Sequence, residues 1–287
     1  MHIILGATGH VGSALAQALL GRNEPVTVLT RDASKTEALR RKGARVAELD
    51  VFDTPALHRV FQGGKRIFVL NPPAPPSTDT VAEERRSLRA ILAALEGCRP
   101  EKIVAESVYG AQPGEGIGDL GVLYEMEQAL QAGPAPFSAL RAAYYMSNWD
   151  ASLKTAREEG KVHTMYPPDF TLPMVAPHDL GEFGAKLMLG PAESSGPHHV
   201  EGPARYSSAD VAAAFAEALG RPVEAVQTPQ AQWVPAFEAL GFSNAAARSY
   251  AEMTRITLEN RFEPQRPERG AITLAGYITA LVRKSPG

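Results

Sequence analysis

The chain has 287 residues, 44% of them hydrophobic, with one cysteine and a formal net charge of -3 at pH 7. That length and apolar content suffice for one large α/β domain, or a main domain with a smaller satellite. One cysteine excludes an internal disulfide, and the near-neutral balance without a basic cluster argues against a nucleic-acid partner. No stretch approaches the ~20 apolar residues that span a bilayer. The first twenty residues are apolar enough to suggest a signal peptide, but they lack a basic leading region and are broken by glycines. The expectation is a soluble cytoplasmic protein, monomer or homodimer, whose partner is a small molecule rather than a membrane or a nucleic acid.

Residues 2–5 form a short apolar strand, followed by Gly6-Ala7-Thr8-Gly9-His10-Val11-Gly12 and an amphipathic helix over 11–21. A strand, a glycine-rich turn and a helix N-terminus make an anion site, because free N–H groups and the positive end of the helix dipole converge there. Gly6 permits the turn, Gly9 lets a pyrophosphate approach the backbone, and Gly12 lets helix and strand pack closely. Gly6, Thr8, Gly9, His10 and Val11 are therefore assigned to the phosphates of a dinucleotide.

A second strand over 25–30 ends at Arg31, where an NAD-preferring site usually carries a carboxylate. Arg31, with Lys35 four residues on, suits a 2′-phosphate and favours NADP(H) over NAD(H). Asp32 is the competing ribose ligand. After a helix over 34–42, a third strand over 45–49 closes with Asp50 and Val51, read as flanking adenine; Asp50 has the alternative of capping the helix that begins at Thr54-Pro55 and runs over 54–61. The fourth strand, 66–70, leads into Asn71-Pro72-Pro73-Ala74-Pro75-Pro76, so that Asn71 and Pro72 border the nicotinamide ribose. A helix over 80–97 follows, with Cys98 at its end as packing filler. The fifth strand, 102–106, leads into Glu106-Ser107-Val108-Tyr109, a helix covers 118–131, and a sixth strand covers 137–141.

Such alternation predicts a Rossmann-like, doubly wound parallel sheet. The rhythm breaks after Arg141. Helices are predicted over 180–189, 208–219, 230–240, 244–260 and 274–283, the second with an N-cap region at Ser207-Ser208-Ala209-Asp210. The expected organisation is a dinucleotide domain from 1–141 and about 161–190, with a smaller, mainly helical substrate lobe from about 142–160 and 191–287. His198-His199 carries no ligand spacing for a metal, because adjacent strand residues face opposite ways, and no metal is assigned.

The glycine turn, Thr30-Arg31, Leu49-Asp50-Val51 and the segment Leu140-Arg141-Ala142-Ala143-Tyr144-Tyr145-Met146-Ser147-Asn148 resemble the NmrA-like branch of the short-chain dehydrogenase/reductase superfamily. Val175 to Gly181, with Asp179, resembles a later strand-into-helix segment of that branch. The resemblance implies NAD(P) binding and either quinone reduction or redox sensing. Catalytic members of the wider superfamily use a serine and a Tyr-x-x-x-Lys pair. Here Ser107 is available, Tyr124 holds the tyrosine position, and Gln128 holds the lysine position. A neutral amide cannot depress a phenol from about 10 as an ammonium does. Tyr124 and Tyr144 are the catalytic candidates. Tyr109, Tyr145 and Asn148 are the substrate-binding candidates. Glu106 is a lesser candidate: a carboxylate ending an apolar strand is a perturbed site group if buried, and its alternative is a solvated place at the loop. The reading is an NAD(P)H-dependent reductase of a quinone-like or conjugated acceptor. The alternative is a non-catalytic dinucleotide sensor that acts through a protein partner.

Overall fold

A computed structural model describes residues 1–260 and 262–285. In the first half, strand and helix alternate: β1 (His2–Leu5), α1 (His10–Leu20), β2 (Val26–Thr30), α2 (Glu37–Arg41), β3 (Arg45–Glu48), α3 (Thr54–Gln62), β4 (Arg66–Val69), α4 (Thr80–Leu95), β5 (Lys102–Val108), α5 (Asp119–Gln131) and β6 (Phe137–Ala142). The second half contains β7 (Tyr144–Tyr145), α6 (Ser152–Glu158), β8 (Lys161–Thr164), β9 (Leu172–Val175), α7 (Pro177–Leu189), β10 (Gly196–Glu201), β11 (Arg205–Tyr206), α8 (Ser208–Leu219), β12 (Glu224–Gln227), α9 (Trp233–Ala239), α10 (Asn244–Glu259), β13 (Glu268–Arg269) and α11 (Leu274–Lys284).

Eight strands form one parallel sheet in the order β13-β10-β6-β5-β4-β1-β2-β3. The order reverses direction beside β1, which makes the sheet doubly wound and puts every carboxyl end on one edge. Residues alternate across it. Ile4, Val28, Phe68 and Val104 face a layer with Leu15, Leu180 and Met188 of α1 and α7. Ile3, Leu5, Ile67 and Ala105 face Leu57, Ile91 and Met126 of α3, α4 and α5. Both faces are covered, so these strands read as apolar runs, and each fully buried Ile or Leu contributes roughly 2 kcal/mol.

Two sheet strands come from the stretch expected to lie wholly in the lobe. β10 pairs with β6 and β13 pairs with β10. β10 carries His198 and His199, and β13 is two residues long, so neither presents an apolar run. Conversely, β8 pairs with β12 outside the main sheet, and β7, β9 and β11 form a small sheet of their own. Trp149, Val162, Tyr166, Val211, Phe215 and Ile278 supply the separate core beneath them.

Local chemistry explains where the elements begin. Asp53, rather than Asp50, caps α3 by accepting the Ala56 N–H, and Pro55 stands in its first turn. Ser207 and Asp210 form a reciprocal capping box on α8. The helix predicted over 34–42 is broken. The Asp32 carboxylate accepts the Ser34 N–H, and a 3₁₀ turn over Ala33–Thr36 precedes the short α2. Similarly, 230–240 begins as a 3₁₀ turn, and α9 starts close to Pro235, which is tolerated only in a first turn. Cys98 is buried, with its thiol on the Ala94 carbonyl. No helix among the described residues is long and apolar enough to cross a membrane.

Candidate active site

The turn after β1 is built by two glycines. Gly6 adopts φ +76°, a left-handed conformation that favours glycine. A Cβ on Gly12 would come 2.4 Å from the Gly6 carbonyl oxygen, backbone against backbone, so only glycine lets α1 approach β1 this closely. Gly9 is the N-cap of α1 and supplies no side-chain cap. The N–H groups of the first turn therefore face outward beside the exposed Thr8, Gly9 and His10, while the Val11 side chain joins the core. This arrangement fits a pyrophosphate.

The neighbouring strand ends continue the same edge. Arg31 is exposed and makes no ion pair among the described residues. Asp32 is committed locally, since Ser34 donates to it from both N–H and Oγ, and Lys35 Nζ is 3.8 Å from it. Those two hydrogen bonds hold its carboxyl below the usual range. Asp50 accepts the Phe52 N–H and is exposed, whereas Val51 is buried in the second core layer. Asn71 is turned into the protein. Its Nδ2 donates to the Glu84 carbonyl, and it accepts from Ser87 Oγ at 2.8 Å. It thereby fixes the start of the proline loop, and the Ala74 N–H fixes its middle by donating to Glu84 Oε1. Pro72 is half-buried beside it.

Beyond β5 and β6 lies a cavity of about 730 Å³. Pro73 of the proline loop forms part of its wall, so the cavity adjoins the dinucleotide edge. Tyr109, Tyr144, Tyr145 and Asn148 all line it, facing Tyr166, Phe170 and Tyr250 from the later elements. Tyr144 packs against Trp149 and edge-on against Tyr166, with centroids 5.9 and 6.0 Å apart. Burial pushes its hydroxyl far above the ordinary phenol range. Tyr109 donates to the buried Glu201, which two arginines, Arg205 and Arg269, also approach. His199 meets the Tyr109 ring edge-on at 5.2 Å.

Tyr124 is not brought to this wall. Asp119 and Leu120 at the start of α5 touch the cavity, and Tyr124 lies about one helical turn further from the edge, half-buried. Ser107 is equally remote from substrate chemistry, because period two aims it at α5, where it donates to Glu127 at 2.5 Å. Arg141 clamps the same carboxylate with two bonds of 2.9 and 2.6 Å. Ser107, Glu127 and Arg141 thus tie β5, α5 and β6 together.

The sequence reading missed Glu84, Asp119 and Glu127. Glu84 and Glu127 fall in the buried phase of their helices, with Leu88 and Ile91, and with Leu120 and Leu130. A carboxylate at that phase requires a partner, and this was the available signal. Glu84 is pushed up to about 8, by burial first and then by the neighbouring Asp119. Asp119, itself raised by burial, lines the cavity with one carboxyl oxygen buried and without a hydrogen-bond partner among the described residues.

The sequence profile of the NmrA-like family matches residues 2–271. The chain belongs to the NmrA-like family. An NAD(P)H azoreductase from Xenophilus azovorans is 24% identical over 253 residues, 88% of this chain and 86% of that protein. The crystal structure of an NADPH-dependent quinone oxidoreductase from Escherichia coli superposes with a TM-score of 0.79 at 19% identity, covering 98% of this chain and 99% of that one. A triphenylmethane reductase from Citrobacter sp. superposes with a TM-score of 0.81 at 16% identity over 99% of both chains.

Proposed function

We propose that this member of the family is an NAD(P)H-dependent oxidoreductase that reduces a quinone-like or other conjugated acceptor, with NADPH preferred. The observation that carries this reading is the juxtaposition along one sheet edge of an uncapped glycine turn, an Arg31 without an ion pair among the described residues, and a cavity lined by aromatic side chains. The names of the azoreductase and the quinone and dye reductases support it. When bound, reduced nicotinamide supplies hydride.

The N–H groups around Gly6, Thr8, Gly9, His10 and Val11 hold the phosphates in this reading. Arg31 and Lys35 bind the 2′-phosphate, Asp50 and Val51 flank adenine, and the loop at Asn71 and Pro72 walls the nicotinamide end. Tyr109, Tyr144, Tyr145 and Asn148 stack and orient a flat acceptor, excluding water from it. Oxidation of NADPH with a panel of quinones and azo compounds, beside calorimetry with NADPH and NADH, tests the assignment. Absence of turnover with every acceptor would refute it.

A sensor is the second reading. It is favoured by Gln128 in place of lysine and by Ser107 being tied to Glu127. Against it, the large apolar side chains exposed among the described residues are three, Phe52, Leu189 and Leu240, from separate parts of the chain, and Arg86 lies over Phe52. Tight NADPH binding without turnover would select the sensor.

A further inference from the structure

Glu106 lies inside β5 as a carboxyl group on the same face as Val104, beside the apolar layer that Val104 joins. It is 7% exposed. Its Oε1 is joined to the Tyr145 hydroxyl by a short hydrogen bond, and its Oε2 is buried with no hydrogen-bond partner among the described residues. Tyr145 in turn forms part of the cavity wall. No structural need for a carboxylate is met here: among the described residues the group caps no helix and pairs with no cation. By contrast, Glu127 and Glu201 are held by arginines.

We propose that Glu106 and Tyr145 form the proton-delivery pair of the reductase, Tyr145 giving its hydroxyl proton to the reduced acceptor and Glu106 deciding which way that proton points. The inference rests on the reductase reading, with reduced nicotinamide as the hydride source. Hydride addition to a conjugated acceptor leaves a negative oxygen or nitrogen. The Tyr145 O–H bond breaks and a new O–H or N–H bond forms on the acceptor. The Glu106 carboxyl then gives its proton to the Tyr145 oxygen and regains one from solvent after product leaves. One proton is consumed per acceptor.

The direction of the short hydrogen bond is the control. A neutral Glu106 donates to the Tyr145 oxygen and leaves the phenol proton facing the cavity. An ionised Glu106 accepts that proton and withdraws it from the substrate. Burial raises Glu106 to about 7, and the bond from Tyr145 opposes this rise. Desolvation, then Glu106 and Asp119, raise Tyr145 well above the phenol range, so it acts as a neutral donor. The other charges close by belong to the Asp119–Glu84 pair, with Tyr250 beside it, and among the described residues no cation acts on Glu106 or Tyr145. Tyr145 touches the acceptor and is the catalytic residue; Glu106 acts through it as a positioning residue.

The test measures kcat against pH from 6 to 9 with NADPH and a quinone, for wild type, E106Q and Y145F. Wild-type kcat should fall on the alkaline side with a midpoint near 7, approaching tenfold per pH unit. E106Q, which keeps a neutral hydrogen-bonding group but leaves Tyr145 to be reprotonated from solvent, should lower kcat and lose that fall. Y145F should lower kcat roughly 100-fold with KM for NADPH little changed. Infrared difference spectra of wild type minus E106Q give a readout that needs no turnover. They should show a protonated-carboxyl carbonyl band at pH 6 that fades as pH rises and shifts in Y145F. Turnover with an unchanged alkaline fall in E106Q would assign the titration to Asp119–Glu84 and overturn the proposal, and absence of the infrared band would overturn it too. Absence of turnover with every acceptor would refute the reductase reading, and the donor role with it.

Discussion

Replacing Glu106 with glutamine isolates the free energy stored in one buried carboxyl. Burial raises this group from its ordinary 4.5 to about 7. Ionising it therefore costs about 3 kcal/mol more in the folded chain than in the unfolded one. A raised carboxyl pKa means that the folded state binds the extra proton. Its contribution to stability is fully present below pH 4.5, is lost progressively up to about pH 7, and changes no further above that. E106Q carries no such proton. The difference in unfolding free energy, E106Q minus wild type, should rise by about 3 kcal/mol between pH 4 and pH 8. For a chain of 287 residues this is a relative gain in Tm of about 5 °C for the variant. Paired urea or thermal unfolding at half-unit pH steps measures it. The Glu84–Asp119 pair titrates in both proteins and cancels in the difference. Parallel curves for the two proteins would refute the reasoning, because they would mean that Glu106 is solvated or paired in the folded chain.

Three further outcomes follow from the geometry. Arg31→Ala should weaken NADPH by roughly 10- to 100-fold, the value of a charge-assisted phosphate contact, and leave NADH nearly unchanged in calorimetry; equal losses would remove the 2′-phosphate assignment. Gly12→Ala forces a Cβ to 2.4 Å from the Gly6 carbonyl and should cost about 1–3 kcal/mol of stability while weakening both dinucleotides at least about tenfold; unaltered binding would mean that the turn does not form the cradle. Arg141→Ala strands the buried Glu127 carboxylate and should cost about 3–5 kcal/mol, a drop of about 5–10 °C in melting. Glu127→Gln in that background should restore part of the loss.

Much of the dinucleotide edge was determined by sequence alone. The turn from Gly6 to Gly12 is local in the chain, and its chemistry follows from glycine backbone freedom and an uncapped helix start. Apolar runs separated by helical periods specify parallel strands. Parallel strands with right-handed crossovers place Arg31, Asp50, Asn71 and Tyr109 on one edge whatever the details of packing. The proline loop and the capping box at Ser207 and Asp210 are legible for the same reason, since each rests on neighbours within a few residues. Tertiary structure decided everything that depends on what faces what. Period two tells that Glu106 and Ser107 point to opposite faces. It does not tell that Tyr145, 39 residues away, awaits one, while Glu127 and Arg141 awaits the other. The sequence offered Tyr124 and Tyr144 as catalytic candidates and Tyr145 as a substrate-binding one, and only the packing of the lobe over the carboxyl edge puts Tyr144 and Tyr145 on the cavity and leaves Tyr124 off it. The physical reason is that periodicity fixes the face of an element, whereas desolvation and pairing depend on the element that covers that face, and here the cover comes from residues 144–173 and 237–260, far along the chain.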